Sequence, residues 1–310
     1  MRRPSEDYPF LPISTTVADG TTVQVATRGQ LPRGSVDVYN DGTTGALTIH
    51  AGEFSPWCLT FNGTSTVAGF DGAATVLAAI KHGTIEIGFQ IDSTGSGART
   101  LLALGDTNAE TAFWLKIDAS GKLEANLVVA GTEQWTWTST SALETNAFLG
   151  LTVKHDGVAP TFVLDNGGPI PGAFSVSTDK TAWLSALTGL DNANLGALDY
   201  NSAGNADFFK GEIDYLYVFD NPKRRAGDLQ LRYDVDEGTG TTLTDETDNS
   251  NDGTIANGTW ETKPGVTLAG SSGRVLHRED DAHWFEGMWA SNASGGNNTI
   301  TLKPGKVQKQ

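Results

Sequence analysis

The sequence predicts an all-β protein, a β-sandwich with extensions at both ends, and three observations carry that prediction. Short runs of β-branched and aromatic residues recur along the 310-residue chain, separated by Gly, Asn, Asp, Ser and Thr. That pattern marks many short strands joined by tight turns. Apolar residues at the i, i+3, i+4 spacing of a buried helix face are almost absent. Nor does the chain show an internal repeat of the kind a propeller or solenoid requires.

The elements follow in order. Residues 1–56 read as an N-terminal arm with strands at Thr22-Val23-Gln24-Val25-Ala26 and Ser35-Val36-Asp37-Val38-Tyr39, split by Pro32 and Gly34, with a turn at Asn40-Asp41-Gly42. The main body begins near Trp57 and runs to residue 262. In it, Ile85, Ile87, Phe89 and Ile91 alternate with Glu86, Gly88, Gln90 and Asp92, the period of a half-buried strand. Leu101-Leu102-Ala103-Leu104 and Phe113-Trp114-Leu115-Lys116-Ile117 follow. A turn at Ala119-Ser120-Gly121-Lys122 leads into a hairpin partner over 123–129. Leu149, Leu151 and Val153 alternate up to the His155-Asp156-Gly157 turn, and Thr161-Phe162-Val163-Leu164 is one more strand. Residues 179–206 are loop-rich, with a weak helical pattern over 181–187. Gly211-Glu212-Ile213-Asp214-Tyr215-Leu216-Tyr217-Val218-Phe219 is a long strand. Residues 263–310 form a C-terminal extension with a last strand at Thr299-Ile300-Thr301-Leu302.

Composition excludes several functions. A formal net charge of -16 leaves no basic stripe to neutralise phosphates, so nucleic acid is not an expected partner. No apolar window reaches the length of a membrane-spanning helix, and membrane insertion is not expected. Met1-Arg2-Arg3-Pro4-Ser5-Glu6-Asp7 carries charge without an apolar segment behind it, so no signal peptide is expected there. The one cysteine, Cys58, rules out an internal disulfide and reads as a buried thiol after Trp57. The five histidines are scattered. The nearest approach to a metal cluster is His277 and His283 around Glu279, Asp280 and Asp281, and a solvated loop is the better reading of it.

Two ligand constellations stand out. Calcium takes several oxygen ligands from a flexible turn. Asp248-Asn249-Ser250-Asn251-Asp252-Gly253 offers oxygens at alternate positions, making Asp248, Ser250 and Asp252 candidate ligands of a structural Ca2+. The competing reading is an Asx-rich turn without an ion. Sugars need aromatic faces beside amides or carboxylates. Trp183 with Asn192 and Asn194 in the loop-rich region fits that need, and Trp183 is expected to be exposed. Trp135 and Trp137 share one face of a strand, which is either the core or a second aromatic platform.

Residues 57–260 resemble the laminin G-like, concanavalin A-like jelly-roll family. The resemblance rests on Phe61-Asn62-Gly63, on Thr84-Ile85-Glu86-Ile87-Gly88-Phe89, and on residues 149–154 with the Asp156-Gly157 turn and 162–167. It continues through residues 211–220 and through Tyr233-Asp234-Val235-Asp236-Glu237-Gly238-Thr239-Gly240-Thr241-Thr242-Leu243-Thr244-Asp245 with Trp260. This last stretch usually opens such a domain. Here it comes at the end, where it is expected to complete a sandwich edge.

The resemblance implies either a glycan-binding module or a glycosidase. Retaining glucanases of this fold carry E-x-D-x-x-E on one strand. Glu212 and Asp214 match the first two positions, but Tyr217 replaces the last glutamate. No catalytic residues are therefore expected, and the chain reads as a non-enzyme. The leading expectation is a structural or adhesion protein of a virion surface, a capsid decoration, turret or tail-fibre component. Its 1–56 arm and C-terminal extension would dock on other subunits in a homo-oligomer, and its sandwich would bind host-surface glycan. A free carbohydrate-binding module is the alternative, and a polysaccharide hydrolase or lyase stands third.

Overall fold

The computed structural model describes residues 57–164, 168–223 and 226–262, and outside that span the backbone of eight strands. The chain divides into two compact units, one made of Met1–Pro56 and Thr262–Gln310, the other of Trp57–Glu261. From the N-terminal segment the first unit takes β1 (Ile13–Val17), β2 (Thr21–Thr27), β3 (Val36–Asn40) and β4 (Ala46–Ala51).

The second unit is an antiparallel β-sandwich of jelly-roll type. Its strands are β5 (Trp57–Asn62), β6 (Val67–Gly69), β7 (Gly83–Ile91), β8 (Arg99–Gly105), β9 (Ala112–Ile117), β10 (Lys122–Val129), β11 (Thr132–Ala142) and β12 (Phe148–His155). They continue as β13 (Pro160–Leu164), β14 (Gly172–Ser177), β15 (Asn192–Leu195), β16 (Lys210–Phe219), β17 (Leu229–Tyr233), β18 (Thr242–Leu243), β19 (Gly253–Ala256) and β20 (Thr259–Thr262). One sheet runs β14-β11-β10-β9-β8-β15-β6-β19-β18; the other runs β13-β12-β7-β16-β5-β20, with β17 also paired to β16. The stretch that the family pattern places first thus supplies β18, the edge of the nine-stranded sheet.

Alternation explains the layers. Ile85, Ile87, Phe89 and Ile91 of β7 point inward from the smaller sheet. Phe113, Leu115 and Ile117 of β9 and Leu123, Ala125 and Leu127 of β10 point inward from the larger one. All are buried in a single core, and burying each large apolar side chain contributes about 1.5–3 kcal/mol. The turn before β10 forms because Asp118 Oδ1 accepts the amides of Ser120 (2.7 Å) and Lys122 (2.9 Å). The helical pattern over 181–187 resolves as a 3-10 turn at Leu184–Ala186.

From the C-terminal segment the first unit takes β21 (Val266–Ala269), β22 (Gly273–Leu276), β23 (Gly287–Asn292) and β24 (Asn298–Pro304). Its two four-stranded sheets run β1-β24-β3-β22 and β2-β23-β4-β21. Each alternates a strand from the start of the chain with one from the end. His277, Glu279, Asp280, Asp281 and His283 lie outside the described residues.

Candidate functional site

The face of the nine-stranded sheet turned away from the core carries the polar side chains. Register fixes a row across it: Thr136 of β11 opposite Asn126 of β10, Asn126 opposite Trp114 of β9, Trp114 opposite Ala103 of β8, and Ala103 opposite Asn194 of β15. A parallel row sets Thr138 beside Glu124, and Glu124 beside Lys116.

Residues 197–207 cross this face and divide it. Leu198 and Ala206 exchange both backbone bonds (3.0 and 2.9 Å), and Asp207 accepts the amide of Thr100 at 2.7 Å. The amides of Asn201 and Ser202 reach the carbonyls of Asp106 (3.0 Å) and Thr107 (2.5 Å), while Asn201 Nδ2 donates to Glu110 Oε1 at 3.0 Å. Gly105 permits the crossing, because a Cβ there would lie 2.6 Å from the Asp199 carbonyl oxygen. Leu198 packs with Ala103, Ala112, Trp114 and Val128 beneath the loop.

What stays open beside the loop is a shelf. Trp114 is only 7 % exposed, and the partly exposed ring of Tyr200 stands against it with centroids 5.6 Å apart at 44°. Glu124 Oε1 accepts from Trp114 Nε1 (3.4 Å) and from Lys116 Nζ (3.2 Å), whose ammonium sits 5.3 Å from the Trp114 ring centroid. Asn126 is 2 % exposed; its Nδ2 donates to Thr136 Oγ1 (2.5 Å) and Glu133 Oε1 (3.5 Å). Its carbonyl oxygen, Oδ1, has no hydrogen-bond partner. That oxygen is itself buried, so the groups a ligand on the shelf can reach are Tyr200, Lys116, Glu124 and Thr136, all partly exposed.

The expected ligand residues do not come together. Trp183 is 1 % exposed, not a surface platform: it stacks on His155 (4.9 Å, 19°) and meets Phe113 edge-on at 5.4 Å. Trp135 is fully buried and donates its indole N–H to the Ala182 carbonyl at 3.0 Å; Trp137 is 5 % exposed and stacks on Phe162 at 3.9 Å. All three belong to the core: β11 puts Trp135 and Trp137 in phase with its aliphatic residues, and the turn at Leu184–Ala186 carries Trp183 in from the loop. Asn192 and Asn194 do lie on the outward face, yet both are buried beneath the crossing loop, where Asn194 Nδ2 bonds Asn192 Oδ1 (2.9 Å) and Asn205 Oδ1 (3.3 Å). The shelf residues had a readable signal. Trp114 and Lys116 fall on the polar phase of β9, against Phe113, Leu115 and Ile117, as Glu124 and Asn126 do on β10.

In the 248–252 loop the organising residue is Asp245, upstream of the expected ligands. Its buried carboxylate accepts the amides of Arg232 (3.1 Å), Thr247 (3.1 Å) and Asn251 (2.9 Å) and the Thr247 hydroxyl at 2.9 Å. Asp252 Oδ1 accepts the amide of Asp245 at 2.9 Å, while Asp248 and Ser250 are exposed. Among the described residues, no three His, Cys, Asp or Glu side chains group as a metal site would require.

On the smaller sheet, Glu212 and Asp214 flank the buried Ile213, and a bulge between Ile213 and Tyr215 shifts the alternation so that Leu216 and Val218 face the core. Tyr217, at the position of the missing glutamate, donates its hydroxyl to Asp234 Oδ1 at 2.8 Å. Burial raises the Glu212 carboxyl above its ordinary value, and Glu261 and Asp92 add to that.

No family profile matches the sequence, and no curated protein does. Among solved structures, the chain is similar to the CBM40 module of the Ruminococcus gnavus IT-sialidase bound to α2,3-sialyllactose, at 21% identity over 57% of this chain and 97% of that one, TM-score 0.46. It is also similar to a putative carbohydrate binding protein from Bacteroides ovatus (13% identity, 81% and 92% of the two chains, TM-score 0.44). A leech intramolecular trans-sialidase gives 19% identity over 68% of this chain and 29% of that one, TM-score 0.42. At these identities and scores none of them identifies a ligand or a site on this chain.

Proposed function

We propose that the sandwich unit is a non-catalytic carbohydrate-binding module, with its ligand on the shelf beside Tyr200. The observation that supports this reading is the partly exposed ring of Tyr200 backed by Trp114, on the same face as the partly exposed Glu124 carboxylate and the hydroxyl of Thr136. A sugar offers that combination in reverse: an apolar C–H face for the ring and hydroxyls for the carboxylate. Tyr217, bonded to Asp234, leaves the glucanase pattern without its last glutamate, which favours binding over hydrolysis.

The virion reading takes the 1–56 arm and the C-terminal extension as docking segments for other subunits. Strands of the arm pair with strands of the tail within one chain, which weighs against the part of that reading that needs free arms. A free or appended glycan-binding module is the reading the geometry favours.

A glycan array followed by isothermal titration tests the proposal. Binding to at least one oligosaccharide is expected, and Tyr200→Ala should weaken it about tenfold, since an aromatic contact contributes about 0.5–1.5 kcal/mol. Absence of binding across neutral and acidic glycans would overturn it, as would full affinity in a folded Tyr200→Ala variant.

A further inference from the structure

We infer that the shelf selects neutral sugars, hexoses or N-acetylhexosamines with free hydroxyls, and rejects sugars that carry a carboxylate. This rests on the glycan-binding reading above and adds the chemical class of the ligand.

The inference follows from which hydrogen-bonding roles are left open. Lys116 is the cation of the shelf, and its charge is engaged: the ammonium is 3.2 Å from Glu124 Oε1 and lies over the Trp114 ring. Glu124 receives both of its bonds through Oε1, which leaves Oε2 for a ligand donor. Asn126 has spent its N–H groups on Thr136 and Glu133, and its carbonyl oxygen is buried, so it offers a ligand no donor. Glu133 is exposed beside it. The open positions, Glu124 Oε2 and the Glu133 carboxylate, are therefore acceptors, on a chain of net charge -16. Acceptors need donors, and sugar hydroxyls and N-acetyl N–H groups supply them. A sialic or uronic acid brings another anion to a place with no unengaged cation among the described residues, and like charges brought close cost affinity.

Glu124 is the positioning residue for this selectivity, because it both neutralises Lys116 and adds the negative charge. Glu124→Gln keeps the size and an acceptor while releasing the lysine.

The test measures affinities for a panel of neutral oligosaccharides, lactose and chitobiose among them, against acidic counterparts such as 3′-sialyllactose and a uronate disaccharide. The wild-type protein should favour the neutral member of each pair at least tenfold. Glu124→Gln should shrink that ratio at least tenfold, and raising salt should shrink it for the wild type, since screening acts on the same repulsion. The salt series needs no variant and stands if Glu124→Gln fails to fold. Preference for the acidic member would overturn this inference while leaving a glycan site in place. Binding to neither class would overturn the glycan reading itself. An unchanged ratio in a folded Glu124→Gln variant would overturn the role given to Glu124.

Discussion

His155 is the residue whose chemistry the fold constrains most tightly. It is fully buried against Trp183, and the amide of Gly157 donates to its Nδ1 at 3.1 Å. Nδ1 must therefore be unprotonated, and Nε2 carries the proton toward the Lys180 carbonyl at 3.0 Å. Burial holds the ring's pKa below 6.5; the stacked His82 pushes the same way, and the Lys180 carbonyl, Asp156 and Asp179 push back. The unfolded chain then binds a proton more readily than the folded one. His155 contributes its full stability above pH 6.5 and loses it as pH falls from there toward the depressed folded value. Asp92 and Asp179, both lowered by bonds to Thr94 and Thr181, lose theirs only below 3.8. Glu212, raised by burial, acts in the opposite sense above 4.5. The contribution of His155 is thus the difference between the wild type and His155→Asn in melting temperature from pH 7.5 to 5.5. The wild type should lose more stability on acidification; equal slopes in the two proteins would refute the assignment.

At the scale of elements, strand phase was legible and side-chain partnership was not. The alternation of residues 85–91 predicted β7, and the alternation of 113–117 held the information that Trp114 faces outward. Trp135 and Trp137 share a face, as their spacing requires, but which face is core depends on strands far away in sequence. Trp183 lies in a loop-rich segment with no alternation to read, and only the fold shows that its ring closes the core. In the 248–252 loop spacing showed several oxygens, but not that Asp252 accepts a backbone amide or that the loop is organised on Asp245. Asp245 is the hub, and Tyr233, whose phenol is pushed well up by burial and by Asp245 and Asp252, donates to the Asn251 carbonyl beside it. Asp245→Ala should cost about 1–3 kcal/mol, the cost of leaving buried amides unpaired, and lower the melting temperature by several degrees. Asp248→Ala should stay within about 0.5 kcal/mol of the wild type. EDTA should leave the wild-type melting temperature unchanged, and a marked drop would assign an ion to the loop.

At the scale of the whole molecule, the arrangement of units follows from long-range pairing that no local pattern reveals. The arm and the tail are more than two hundred residues apart in sequence, yet Ile49 of β4 pairs with Val266 of β21, and Val38 of β3 with Leu302 of β24. The sandwich is accordingly an insertion within a discontinuous β unit. Its own first and last strands, β5 and β20, are neighbours in one sheet, so its two ends lie side by side. A unit whose ends meet and whose apolar residues fill one internal core has what it needs to fold alone. Residues 57–261 expressed by themselves should unfold in one cooperative transition, retain the near-ultraviolet dichroism of Trp135 and Trp183, and show the same acid sensitivity as the full chain. The complementary protein, 1–56 joined to 262–310 through a short Gly-Ser linker, should keep β-type far-ultraviolet dichroism, since each of its sheets draws strands from both segments. If the excised sandwich shows a non-cooperative transition, or lacks fixed aromatic signals, its stability depends on the rest of the chain and the insertion is not an independent unit.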